Sequence, residues 1–530
     1  MAASQKNSPP PKGKASSSSF KLQTAKLPVL LVFFLLTWLW AGWYYGSVFY
    51  ISREYSFWVA DTRIMEFILC QPYGILRYIG RAMLQLYKYP WLGGLLLALM
   101  LTAGSWLTGY CMRLKASWRA IQYLPALCYM AVVTWHGLDI FFEARTGLIF
   151  GIPFVVLLVL CIWGIIIRSF SRKPVPAFID IPKDETPRQN GLQLAVIAVC
   201  MAAIIGFDFW QRPYVRVICQ LLDMEYKQDW AGIQKLARAN AKMSNRPTAC
   251  SYAIALVQTG QIAERLYDIR LDYDSLHIHG MDWRHNNASC LYVPEGNYYG
   301  GFLESSQHAC MEQMVMTGPT IRLLKLLTKC ALMREEWELA DKYLAVLRRV
   351  PFEKAFCEKY GAMVRRTDLV NTDKEMALIR LTEPIHDSFE NQYQQPLFMG
   401  YNLMLVEGRS REALINSLCV CLYTKLMPQF VERLEPLIGT TPPSIIMDGI
   451  MLAENKNPGI SQHFSGLNFR QPQLQNFLEN TRQYMKDRPG HAYELFPRYK
   501  GYYPYYYFFG NLKATKKGYT SLSSSSSGVN

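Results

Sequence analysis

The chain has 530 residues, 51% of them apolar and 14% aromatic, with a formal net charge of +15, and this length is too great for one compact domain. The basic excess is uneven: residues 1–210 carry 19 Lys and Arg against 9 Asp and Glu, whereas residues 211–530 carry 37 against 32. A nucleic-acid binder needs a basic face on its soluble part; the second half offers none, so no nucleic acid is expected as a partner.

Residues 1–26 contain five lysines, a run of prolines and serines, and no acid, the composition of a disordered basic arm. Leu27–Gly46 is apolar and Trp-rich. It is too long for the apolar part of a signal peptide and lacks a small-residue cleavage site, so it is read as an uncleaved first span. In residues 47–90, charges such as Arg53, Glu54, Asp61, Arg77 and Arg81 interrupt apolar residues at helical spacing. Segment 57–87 therefore reads as one or two amphipathic helices lying on the membrane, with a sixth span as the alternative. Trp91–Met112, Ile121–Phe142 and Gly147–Ile167 follow as spans, then a polar linker, Arg168–Asn190, and a last span, Gly191–Trp210. Each holds about 20 residues, enough to cross a bilayer.

Basic residues mark the loops kept in the cytoplasm. They gather in the amino-terminal arm, at Arg113, Lys115 and Arg119, and at Arg168, Arg172, Lys173, Lys183 and Arg188. Five spans with the amino terminus inside put residues 211–512 outside the cytoplasm. The expected location is a bacterial inner membrane, with the lipid bilayer as one partner.

The second half reads as helical. Asp229–Met243 places Trp230, Ile233, Leu236 and Ala237 on one face, with Pro247 as its stop. Ala249–Leu266 breaks at Gly260, and Thr320–Leu347 and Phe398–Tyr423 repeat the pattern of helix, tight turn and helix. Paired helices that cannot bury both faces alone stack into solenoids. Tyr252, Leu256, Gly260 and Ala263, and then Leu332, Trp337, Ala340, Leu344 and Pro351, resemble degenerate tetratricopeptide repeats. Residues 513–530 read as a disordered Ser-rich tail. The expected fold class is thus all-α: a transmembrane helix bundle in 27–210 and an extracytoplasmic helical-repeat domain in 211–512.

The layout, with REYSFW at 53–58 and YYPYYYFFG at 502–510, resembles a family of Bacteroidota membrane proteins with a multispan amino-terminal domain and a repeat-like carboxy-terminal domain. That resemblance implies no activity.

The 13 cysteines form no C-x-x-C pair or zinc spacing, and they read as small buried hydrophobes. Eight follow residue 210, where an oxidising compartment would permit one or two disulfides. His136, Asp139 and Glu143 fall on one face near the outer end of the third expected span, and Glu54 and Asp61 lie just beyond the first. Ionisable groups at a bilayer are candidate functional sites, and such an acidic cluster would suit a membrane enzyme of envelope glycan or lipid metabolism. The bland reading is interfacial acids that reach water or pair with Arg145. His277, His279, His285 and His308 match no ligand motif, so no metal and no cofactor are expected. Without a catalytic motif, the preferred reading is a non-enzymatic membrane protein whose repeat domain binds a protein or an envelope polymer. Segment 57–87 is expected to form a platform on which the first repeat helices or the aromatic run 502–510 dock.

Overall fold

The computed structural model describes residues 29–141, 145–170, 186–243, 245–271, 289–383, 410–510, 513–515 and 518–520. It is helical apart from a short antiparallel hairpin of Lys513–Thr515 with Gly518–Thr520, which lies in the tail expected to be unstructured.

Among the described residues, three helices are long and apolar enough to cross a membrane: α5 (Pro90–Cys111), α7 (Arg145–Phe170) and α8 (Pro187–Gln211). Long apolar runs take this form because a helix satisfies its own backbone groups where no water can. α1 (Val29–Tyr44) ends in a π-helical turn and bends by 57° into α2 (Gly46–Glu54), and the two reach that length and apolarity only as a bent pair. The expected span at 121–142 is not one long helix. It holds α6 (Leu124–His136), 13 residues between the 3-10 segments Ala116–Tyr123 and Gly137–Phe141. Pro125 stands in the first turn of α6 and Gly137, at φ 55°, ends it. Proline lacks a donor, and glycine alone takes positive φ without strain.

The broken stretch still runs the length of the bundle. At its start, Tyr123 packs on Phe33 near the beginning of α1, with ring centroids 4.8 Å apart. At its end, Trp135 stacks on Phe207 of α8 at 5.5 Å, and the His136 carbonyl accepts from Arg212 Nη1 at 3.3 Å. The two ends of α5 are fixed as well. Gly94 brings its first turns into backbone contact with Gly42 of α1, and Cys111 Sγ donates to the Leu160 carbonyl of α7 at 3.3 Å.

Segment 57–87 forms α3 (Thr62–Leu69) and α4 (Gly74–Leu84), followed by a 3-10 turn. Asp61 caps α3 by accepting from the backbone of Arg63 at 3.0 Å and of Ile64 at 3.4 Å, two of the donors that a helix start leaves open. Phe67, Tyr73 and Ile75 are exposed, whereas Ile68 is buried. α4 lies on the first turns of α7 through Gly80, Gly147 and Gly151, and a Cβ on Gly80 would overlap the Gly147 carbonyl. Small residues allow such backbone approach. Gly147 abuts the Arg77 backbone and the Arg81 side chain, and Arg77 Nη1 donates to Gln71 Oε1 at 2.6 Å.

The second half starts with α9 (Pro213–Tyr226), two residues after α8, and packs it on α2. Then come α10 (Trp230–Ala239), α11 (Arg246–Gln258), α12 (Ile262–Arg265), α13 (Val293–Tyr299), α14 (Leu303–Thr317), α15 (Ile321–Met333), α16 (Trp337–Leu347), α17 (Lys354–Gly361), α18 (Thr367–Thr372) and α19 (Lys374–Thr382). Asp229, Asn245 and Thr320 cap α10, α11 and α15 through their side chains. Pro247 is an early residue of α11 rather than the stop of α10, since proline costs nothing where the N–H would be unpaired anyway. Gly260, at φ 68°, makes the turn before α12. Of the expected pair at 398–423, only α20 (Arg411–Thr424) is described; Phe398 and Gly408 lie outside the described residues.

One apolar core runs through this half and reaches back to Phe57 and Val59. All eight cysteines after residue 210 are buried thiols without a disulfide. The aromatic run forms α21 (Tyr503–Phe509), which docks within this half and not on segment 57–87. Tyr503 OH donates to the Leu422 carbonyl at 3.0 Å and Tyr506 OH to the Tyr423 carbonyl at 2.8 Å, while the Tyr267 ring lies 4.6 Å from that of Tyr506. A partner for the hydroxyl lowers the cost of burying a tyrosine, and the carbonyls at the end of α20 supply two.

Candidate functional site

The two halves meet at a layer of buried ion pairs. α2 carries Arg53 and Glu54 into the contact, 0% and 1% exposed. Arg53 Nη1 lies 2.5 Å from Glu54 Oε1 and 2.6 Å from Glu353 Oε1, and Nη2 donates to the Pro351 carbonyl at 2.9 Å. Lys325 of α15 bridges the same two carboxylates, at 3.0 Å from Glu54 Oε2 and 2.9 Å from Glu353 Oε2. Lys88, just before α5, reaches Glu353 Oε1 at 3.3 Å. Outside this group, Tyr89 meets Phe352 edge-on at 5.8 Å. A carboxylate taken out of water is tolerated only with cations and hydrogen bonds around it, and each of the two has them.

α15 holds two further cations on the same face, Arg322 and Lys329, three residues before and four after Lys325. Arg322 grips Glu295 of α13 with two parallel hydrogen bonds. It donates to Gln313 Oε1 at 3.1 Å and lies over the Tyr55 ring at 4.6 Å. Lys329 donates to Glu375 of α19 at 2.8 and 3.1 Å, and Gln228 also donates to Glu375. Burial works against the Lys329 charge, but the Glu375 carboxylate outweighs it and holds the ammonium above its ordinary range. Glu225, near the end of α9, stands beside this row. Its Oε2 accepts from Ser251 Oγ at 3.0 Å. Burial first, and the Glu295 carboxylate second, push its carboxyl up to about 8.

A smaller cluster ties the last span to the first. Asp208, fully buried, accepts from Tyr44 OH at 2.9 Å and pairs with Arg216 Nε at 2.5 Å.

The residues singled out from the sequence are distributed as follows. Glu54 is the centre of the ion-pair layer. Asp61, besides capping α3, pairs with Arg349 of the second half at 2.9 Å. His136 closes α6, and Asp139 is buried in the 3-10 turn after it, which contacts α2. Glu143, His277, His279 and His285 lie outside the described residues. His308 stands 3.9 Å from Glu312. Among the described residues no three His, Cys, Asp or Glu side chains converge as metal ligands.

Sequence reasoning missed Arg322, Lys325, Lys329 and their carboxylates. A signal was present: in IRLLKLLTKCALM three cations share one face of a helix whose other positions, Thr328 apart, are apolar. Such a stripe means either a solvated face or a row of buried pairs, and only the partners decide which.

Residues 20–182 and 143–510 match a family of unknown function, DUF6057, and the chain belongs to that family. No curated protein and no solved structure matches it.

Proposed function

Taking membership of that family as the premise, we propose that the chain is a multispan protein of a bacterial inner membrane. It holds a helical-repeat, tetratricopeptide-like domain outside the cytoplasm, where the domain binds another protein or an envelope polymer. The observation that carries this reading is the ion-pair layer of Arg53, Glu54, Lys88, Lys325 and Glu353. It clamps the large helical half to one end of the bundle, so that the half is held against the bilayer instead of swinging on a tether. A clamped domain offers its far side to a partner with little loss of freedom on binding.

Sidedness rests on parity and charge. Three helices qualify as spans, a bent pair adds a fourth, and the broken stretch 116–141, with its ends packed at opposite ends of the bundle, supplies the fifth crossing. Basic loops kept inside then leave α9 and all that follows outside. The repeat character rests on α15 with α16, joined by a tight turn, and on α10 with α11, each pair packed together. Ala340 and Leu344 are buried as in helix-pair repeats.

Alkaline phosphatase fused after Trp210 or after Gly510 should be active, and a cytoplasmic reporter at the same places silent. The reverse pattern would overturn the sidedness. In intact cells, a membrane-impermeant crosslinker should then join the second half to a discrete partner or to envelope polymer. Uncrosslinked chain alone would remove the binding role.

A further inference from the structure

Glu225 stands beside the joint with no ion pair to a cation. It is fully buried at the end of α9; Ser251 Oγ serves Oε2 at 3.0 Å, and Oε1 has no hydrogen-bond partner. The groups that face it are already engaged. Glu295 of α13 and Arg322 of α15 hold each other, and Lys329 is bound to Glu375. Cys250 of α11 and Tyr299 of α13 are neutral neighbours, each kept protonated by burial. From α2, Arg53 and Glu54 are spent on Glu353 and Lys325, and Tyr55 lies under Arg322. Asp208 of α8 is paired with Arg216. On α10, Lys235 is exposed and Arg238 donates to the Gln234 carbonyl. On α9 itself, Asp223 pairs with Lys227.

A buried carboxyl in such surroundings is stable as the neutral acid, because an unpaired charge there is far costlier than an O–H. We infer that Glu225 is a proton-binding site built into the joint. With its proton bound, α9 stays seated on α2, α10 and α11; when the proton leaves, the uncompensated charge unseats α9 and loosens the second half from the last span. The bond broken is the carboxyl O–H, and the proton passes to the water that enters as α9 lifts.

Native thiols report on this motion. Cys219 on α9 and Cys419 on α20 are both fully buried. The full chain in lipid nanodiscs would be alkylated with a maleimide from pH 6 to pH 9, and each site quantified by mass spectrometry. Glu225→Gln keeps the shape of the protonated acid and cannot lose a proton, so dividing by its rate at the same pH removes the intrinsic thiol chemistry. The carboxyl titrates near 8 when seated and near 4.5 when exposed, so opening should steepen toward tenfold per pH unit below 8. The wild-type to variant ratio at Cys219 should rise at least tenfold between pH 6 and pH 8, with Cys419 unchanged. A ratio that stays within twofold up to pH 9 would overturn the inference, as would an equal rise at Cys419, which would mean global opening. Should Glu225→Gln fail to fold, the ratio of Cys219 to Cys419 in the wild-type chain decides by the same thresholds.

Discussion

Lys325→Met takes from the joint a cation that bonds Glu54 at 3.0 Å and Glu353 at 2.9 Å, both carboxylates being 1% exposed. Removing one member of a buried ion pair costs about 3–5 kcal/mol, most of it the penalty of the charge left behind. Arg53 and Lys88 remain to neutralise the two carboxylates, so the lower end, ~3 kcal/mol, is expected. For large domains each kcal/mol moves the melting temperature by roughly 2–4 °C, which gives a fall of about 6–12 °C. Nine buried thiols suit a thermal assay in which a thiol-reactive dye lights up as the core opens, with exposed Cys70, Cys128 and Cys161 setting the baseline. Lys354→Met is the control. Its pair with Glu358 lies at the surface, at 3.6 Å with Lys354 87% exposed, and such pairs contribute ~0–1 kcal/mol. In Lys325→Met the Glu54 carboxylate keeps Arg53 but loses its second cation, so adding Glu54→Gln should cost less than the sum of the two single changes. A Lys325→Met chain melting within about 1 °C of wild type, or a double variant worse by the full effect of both, would refute the argument that buried charge balance holds the halves together.

Gly80→Ala should lower the melting temperature by several degrees, because its methyl would overlap the Gly147 carbonyl and lift α4 from α7; Gly104→Ala, on α5 with open space around it, should be neutral, and equal effects would deny the close contact. Asp448, buried beside Arg470, has its carboxyl raised to about 6, chiefly by burial. The folded chain therefore binds that proton more tightly than the unfolded chain, and stability should fall as pH rises from about 4 to about 6, by up to ~3 kcal/mol. Asp448→Asn should flatten that part of the denaturation profile, and a slope of opposite sign in the wild type would contradict the placement.

Much of this organisation is legible in the chain because it depends on local composition. Twenty apolar residues in a row make a helix that leaves water, wherever they occur, so α5, α7 and α8 follow from counting. Capping residues at Asp229, Asn245 and Thr320 mark helix starts by short-range hydrogen bonds. Even the break at 121–142 was written in Pro125 and Gly137, although the apolar count outweighed them. Charge near the spans was equally visible, but its role was not. Glu54 and Asp61 have the residue types and location of an acidic surface cluster, yet their partners, Lys325 and Arg349, stand 271 and 288 residues away. No local pattern connects such residues. The same holds for Tyr503 and Tyr506, whose acceptors lie on α20 and not on the membrane-side segment. Sequence by itself determined what each stretch must do with its apolar surface, since burial depends on residue type. Only the tertiary structure decided which charge meets which, because pairing in a low-dielectric interior is set by distances of a few ångströms between residues far apart in the chain.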